Sequence, residues 1–324
     1  MENRVTIVLY HYVRDLKHSR YPAIKGLDIG LFNEQLMFIK RHYTIITMEQ
    51  LIDAVDNDTE LPSKAALLTF DDAYRDHYAY VFPILLDQNV QGSFFPPARA
   101  IQEHIVLDVN KIHHVLASAP SPQDIVEEIY QILDRCRDEY GCESNEAYYT
   151  KFAVADRFDT ADVIFIKRLL QRGLEEQLRG VVTNALFAKF VGVPESTFAR
   201  ELYMNVDQIK EMKEFGMHIG SHGFGHYWLD SLSMEQQELE ITRSLDFLRG
   251  IEGGVDSWTM AYPYGGYNSD TIDLLKKHRC KLALTIELGV ASVSKETRFR
   301  LARLDTNDLP MDRRAHVNRW YELG

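Results

Sequence analysis

Short unbroken apolar runs alternate with amphipathic stretches through the first hundred residues. Val5–Tyr10 (VTIVLY) is β-branched, continuous and short, the pattern of a strand covered on both faces. Phe32, Leu36 and Ile39 recur at i, i+4 and i+7, which predicts an amphipathic helix over Leu31–His42. Thr44–Ile46 reads as a short strand and Met48–Val55 as a helix with Thr47 as its N-cap. Ala65–Phe70 is a further strand, followed by a helix to about Gln88 and a strand over Gly92–Phe95. Strand and helix alternating at this rhythm build βα units on a largely parallel sheet.

The rhythm stops near Asp108. From there to Leu202 the pattern is helical or loop, with no strand-like run. Ser121-Pro122 opens a helix whose Ile125, Ile129, Ile132 and Leu133 line one face. Further helices are expected over Ala161–Gln171 and Leu174–Phe190. The alternation then resumes with helix Val206–Phe215, strand Met217–Ser221, helix Met234–Leu248, strand Trp258–Tyr262, helix Ser269–His278, strand Lys281–Thr285 and an extended stretch at Phe299–Leu304. This makes seven or eight strands, with residues 108–202 as a helical insertion between a first part (1–107) and a second part (203–324).

Composition narrows the classes. The chain of 324 residues carries 48 Asp and Glu against 36 Lys and Arg, a net charge of −12. That balance argues against a non-specific nucleic-acid binder, which needs a basic face. Cys136, Cys142 and Cys280 are too few and too scattered for a disulfide framework or a thiolate zinc site. The first residues lack the basic head of a signal peptide, and no apolar run approaches the ~20 residues of a membrane span. A cytoplasmic protein with no integral membrane segment is therefore expected.

Three strand ends carry candidate chemistry. Ala65–Phe70 runs into Asp71-Asp72, and the C-terminal ends of parallel strands are where α/β proteins build their sites. The pair also suits a plain turn and helix cap. Met217–Ser221 runs into His222-Gly-Phe-Gly-His226, whose i, i+4 histidines share a face if the segment turns helically. Trp258–Tyr262 leads into Pro263-Tyr264-Gly265-Gly266, a turn with backbone amides to offer, or simply an aromatic-rich turn. One Asp and two His make a three-ligand set that leaves coordination positions open, as a catalytic metal requires, and frees the second carboxylate to act as a base.

At these residues the chain resembles the polysaccharide deacetylase family, the NodB-homology carbohydrate esterases. Its motif Thr-Phe-Asp-Asp-Gly is matched by Thr69-Phe70-Asp71-Asp72-Ala73, His-Ser/Thr-x-x-His by His222-Gly-Phe-Gly-His226, and Arg-x-Pro-Tyr-Gly by Ala261-Tyr-Pro-Tyr264-Gly265. Leu9-Tyr10-His11-Tyr12 resembles the Tyr-His opening of the branch that contains poly-N-acetylglucosamine deacetylases. The resemblance covers Val5 to about Ile101 and Leu202 to about Asp305. It implies an irregular (β/α)7-type barrel interrupted by a large helical insertion. It implies Asp71 as general base, Asp72, His222 and His226 as ligands of one divalent metal, commonly zinc, the Tyr264 amide as an oxyanion donor, and His11 as general acid. Three positions depart from the motifs: Ala73 replaces Gly, Gly223 replaces Ser/Thr, and Ala261 replaces the Arg that orients the base. Arg303, in Arg303-Leu-Asp305, is the candidate to supply the missing guanidinium, a rim salt bridge being the alternative.

The expected reaction is removal of an N-acyl (acetyl) group from an amino sugar in a polysaccharide or its precursor, the partner being a carbohydrate or sugar-precursor substrate. Without a signal peptide, a sugar nucleotide or lipid-linked precursor is the expected substrate. Two alternatives stand beside it: an amidohydrolase acting on a formyl group, small amide or imide, and a catalytically silent carbohydrate-binding homologue. Tyr74, Phe224, Tyr227, Trp228 and Tyr267 flank the motifs as candidates to stack on a sugar or to fill the core. The insertion is a candidate lid, homo-oligomer contact or specificity wall.

Overall fold

Each apolar run of the alternating regions becomes a strand because both of its faces are covered. The structure, a computed structural model, describes residues 3–155, 159–253 and 255–324. Its principal strands are β1 (Arg4–Tyr10), β2 (Thr44–Ile45), β3 (Ala65–Asp71), β4 (Ser93–Phe95), β5 (His218–Ile219), β6 (Met260–Ala261), β7 (Ala283–Leu288) and β8 (Leu301–Asp305). All but the first residue of β1, and every residue of β3, are buried. Seven of these strands run parallel in the order β5-β4-β3-β1-β8-β7-β6. β2 pairs with the start of β3 at Ala65 and Ala66. Just past β5 the sheet meets its own other edge: the Ser221 amide donates to the Thr259 carbonyl at 2.8 Å, and Ala261 donates to Ser221 at 2.9 Å. The result is an irregular (β/α)7 barrel.

Three two-residue strands escape the sequence pattern. Val13–Arg14 pairs with Leu27–Asp28, and Ala291–Ser292 runs antiparallel to the start of β1. The helix starts follow from their caps. Thr47 and Gln50 close a capping box on Met48–Asn57, and the Ser121 hydroxyl caps Pro122–Tyr140. After β3 the expected single helix is instead a π-turn, His77–Val81, continuing into Phe82–Asp87.

The chain divides into two compact units. One comprises Met1–Asp15, Gly26–His104 and Ala199–Gly324, and holds the barrel. The other comprises Leu16–Lys25 and Ile105–Phe198. The expected boundaries at 107/108 and 202/203 thus fall at 104/105 and 198/199, and Leu16–Lys25 groups with the helices. The second unit contains helices Asp108–Ser118, Pro122–Tyr140, Asn145–Phe152, Ala161–Arg168 and Glu176–Phe190. Its core includes the expected Ile125, Ile129, Ile132 and Leu133 together with Phe165, Leu186 and Phe187. Among the described residues, no helix is long and apolar enough to cross a membrane.

Candidate metal and catalytic centre

The site forms at the ends of β3, β5 and β6 on the closed sheet, with β4 lying between β3 and β5. At the end of β3 the backbone turns left-handed at Asp72 (φ 72°) and Ala73 (φ 52°). This turn, rather than an extended chain, separates the two carboxylates. It also gives the substitution at position 73 a physical meaning, because glycine alone enters this region without strain.

Asp71 reaches across the barrel interior to β8. Arg303 grips it with both guanidinium nitrogens, Nη1 to Oδ1 at 3.0 Å and Nη2 to Oδ2 at 2.8 Å. The register of β7 against β8 shifts between Leu301 and Arg303. Within that irregular stretch the Thr285 carbonyl accepts from Arg303 Nε at 2.7 Å, which fixes the direction of the fork. Arg303 is 2% exposed, so this is a barrel-interior pair and not a rim salt bridge. Burial by itself would raise the Asp71 carboxyl; the charge of Arg303, then that of His222, outweighs it and holds the group below the usual carboxylate range.

Asp72 points to the histidines. Its Oδ2 accepts the Tyr74 hydroxyl at 2.6 Å, while Oδ1 is buried with no hydrogen-bond partner among the described residues. That oxygen lies 3.6 Å from His222 Nε2 and 3.4 Å from His226 Nε2, and the two nitrogens are 3.2 Å apart. The segment between the two histidines does not turn helically. His222 lies three residues past the end of β5, and an irregular loop with left-handed turns at Gly223 and His226 folds the second ring back onto the first.

The His222 Nδ1–H donates to the Ala261 carbonyl at 2.7 Å, which turns its Nε2 towards Asp72. Burial, reinforced by His222, pushes His226 down to about 3, so this ring is neutral, the form that ligates a metal. Burial opposes ionisation of Asp72, yet His226, His11, His222 and the Tyr74 hydroxyl hold it down to about 2. An orphaned carboxylate oxygen and two convergent imidazole nitrogens, all buried and within 4.8 Å of one another, fit a divalent cation.

His11 follows β1 and is exposed. Its carbonyl accepts from the buried His77 Nε2–H at 2.6 Å, and its charge reaches both Asp71 and Asp72. Tyr264 sits in a left-handed turn (φ 56°), its ring edge-on to His226 at 4.6 Å and stacked on Trp228 at 4.7 Å. Of nine non-glycine residues with positive φ among the described residues, four (Asp72, Ala73, His226 and Tyr264) surround this centre. Tyr74 and Phe224 are buried, which removes both as sugar-stacking candidates. Trp228, Tyr227 and Tyr267 are half-buried.

Two residues beyond the expected set shape the centre. His77 holds the backbone of His11, and Glu240, 7% exposed on helix Met234–Glu252, accepts amides of the histidine loop. The available signal for Glu240 is its place among Gln237, Ile241, Ser244, Leu245 and Leu248, a carboxylate on the buried face of its helix.

Comparison with known proteins bears on this geometry. A sequence profile described as Polysaccharide deacetylase matches residues 58–134 and 189–283, together just over half of the chain. The match includes Asp71, Asp72, His222, His226 and Tyr264, while His11 and Arg303 lie outside it. YxkH of Bacillus subtilis (strain 168), which carries the same family name, is 30% identical over 90 residues, 28% of this chain and about a third (32%) of its own length. Among solved structures, the deacetylase PplD of Streptococcus pyogenes in complex with acetate is similar at TM-score 0.59 and 18% identity, covering 96% of this chain and 94% of that one. IcaB from Ammonifex degensii is similar at TM-score 0.56 and 18% identity, covering 94% and 93%. A de-N-acetylase from Aggregatibacter actinomycetemcomitans is similar at TM-score 0.53 and 16% identity, covering 97% of both. With the strand-end motifs in order and the profile spanning most of them, the chain belongs to the polysaccharide deacetylase family.

Proposed function

We propose that the protein hydrolyses the N-acetyl group of an amino sugar in a polysaccharide or its precursor, leaving a free amine and acetate. The observation that carries this reading is the buried Asp72, His222 and His226 donor set beside the Arg303-gripped Asp71. Family membership supports it, as do structural neighbours described as a deacetylase with acetate and as a de-N-acetylase.

Asp72, His222 and His226 would hold a divalent cation, zinc being the common choice for such donors, and the bound ion supplies Lewis-acid polarisation of water and carbonyl. Asp71, kept ionised and oriented by Arg303, accepts the proton of the attacking water. The Tyr264 amide donates to the oxygen that gains charge as the carbonyl carbon becomes tetrahedral. His11, exposed at the end of β1, delivers a proton to the departing amine. The scissile C–N bond breaks as that proton arrives, so water divides into the hydroxyl of acetic acid and the new N–H.

The test measures acetate release from N-acetylated oligosaccharides and sugar precursors by zinc-loaded protein. Wild type should release acetate. Asp71→Asn should lose roughly 10²–10⁴-fold in turnover while still binding zinc, and Asp72→Ala should lose the zinc. Full turnover in Asp71→Asn sinks the base assignment. Zinc bound with glycan affinity but no acetate from any substrate points to the silent homologue. Hydrolysis confined to formyl or small amide substrates points to the amidohydrolase.

A further inference from the structure

We infer that Glu240 is a positioning residue that clasps the histidine-bearing loop 222–226 and thereby sets the affinity of the centre for its metal; this rests on the metal-site reading above. Glu240 Oε2 accepts the Phe224 amide at 3.2 Å and the Gly225 amide at 2.7 Å, two consecutive donors between the two histidines. The same face of that helix holds the loop a second time. Ser244, one turn on, pairs with the Ser221 hydroxyl at 2.6 Å, and that hydroxyl accepts the Gly223 amide at 3.1 Å.

The glycines of the loop leave the space the carboxylate occupies. A Cβ on Gly225 would stand 3.1 Å from Glu240 Oε1 and 2.5 Å from the Tyr227 ring, and one on Gly223 would stand 3.6 Å from Glu240 Oε2. A side chain at 223 would also be strained, since φ there is +72°.

The clasp bears most on His226. His222 is oriented by its hydrogen bond to Ala261, whereas His226 Nδ1 is buried with no hydrogen-bond partner among the described residues. Metal-ligating histidines ordinarily donate their second nitrogen to a fixed acceptor. For His226 that constraint is replaced by its backbone, held in a left-handed turn, and by the edge contact with Tyr264. Freeing the Phe224 and Gly225 amides lets the loop, and with it this ligand, drift.

The experiment is competition for zinc between full-length protein and a chromophoric chelator, with the thermal melt of metal-free protein alongside. Glu240→Ala should weaken zinc binding roughly 10- to 100-fold, the usual cost of an outer-shell deletion. Glu240→Gln should stay within about threefold of wild type, because one oxygen accepts both amides and a Gln oxygen can do the same. If Glu240→Ala fails to fold, Glu240→Asp, which withdraws the acceptor by about 1.5 Å, carries the same expectation as the alanine variant. Unchanged zinc affinity in the variant that folds overturns the inference. So does Glu240→Gln falling as far as Glu240→Ala, which would make the effect one of charge. Wild type without measurable zinc overturns the metal-site reading itself, and the clasp with it.

Discussion

At Asp71 two effects of opposite sign meet: burial, which disfavours the carboxylate, and a bidentate guanidinium, which restores it. Removing one member of such a buried pair leaves the other uncompensated. Arg303→Met should therefore cost roughly 3–5 kcal/mol of stability in a urea melt. Arg303→Lys keeps the charge but loses the fork, and should retain most of the stability while turnover falls roughly 10²-fold from misplacement of the base. Equal loss of stability in both variants would show that the geometry of the fork, not charge alone, is what Arg303 contributes. Position 73 allows a test of opposite sign. Ala73 is buried with φ +52°, so Ala73→Gly should raise the unfolding free energy by up to about 1 kcal/mol, read as a higher denaturation midpoint. A fall in stability would mean that the alanine methyl group's packing outweighs the backbone strain.

At the scale of elements, the end of β1 is tied to the π-turn after β3 through His77 and the His11 carbonyl. Burial holds the His77 imidazole down to about 4, against an ordinary value of 6.5. Between those values the unfolded chain binds a proton that the folded chain refuses. The contribution of His77 is thus complete above about pH 6.5 and is lost as pH falls toward 4, about 3 kcal/mol in all. Urea melts of metal-free His77→Phe across that window should show a shallower pH dependence than wild type; an identical slope would place the titration elsewhere. The elements themselves were largely readable from the chain. β1 and β3 are continuous apolar runs, and Thr47 and Ser121 announced their helices, because burial on two faces and capping both leave marks in local sequence. The short strands Val13–Arg14, Leu27–Asp28 and Ala291–Ser292 left none, since two residues carry no period. The carboxylate pair and the histidine pair could be placed at strand ends, and Arg303, near the end of the last expected strand, could be named as the candidate for the missing guanidinium. The path of the histidine loop was not readable, because its turn depends on positive φ at His226 and on an acceptor that is distant in sequence. Glu240 and His77 were missed for the same reason: a Glu on an amphipathic helix and a His in a turn have no local signature of what they hold.

At the scale of the molecule, the barrel unit is stitched from three segments, and its first strand lies between its third and its eighth. Zinc that binds only the folded chain must stabilise it. At a hundredfold excess over its Kd the gain is about 2.7 kcal/mol, visible as a raised melting temperature in wild type and absent in Asp72→Ala. An equal rise in both would place the binding outside the centre. The grip of Arg303 on Asp71 has a further consequence while the polypeptide is being made. The two residues are 232 positions apart. At roughly 5–20 residues per second on the ribosome, the carboxylate waits for its cation on the order of tens of seconds. A nascent chain that sealed Asp71 away early would trap an unneutralised charge, so the partly made sheet has reason to stay open and wet around β3. Asp71, the proposed base, is made long before the guanidinium that grips it, and a ribosome stalled before residue 303 releases a product that carries both carboxylates and both histidines but lacks that cation.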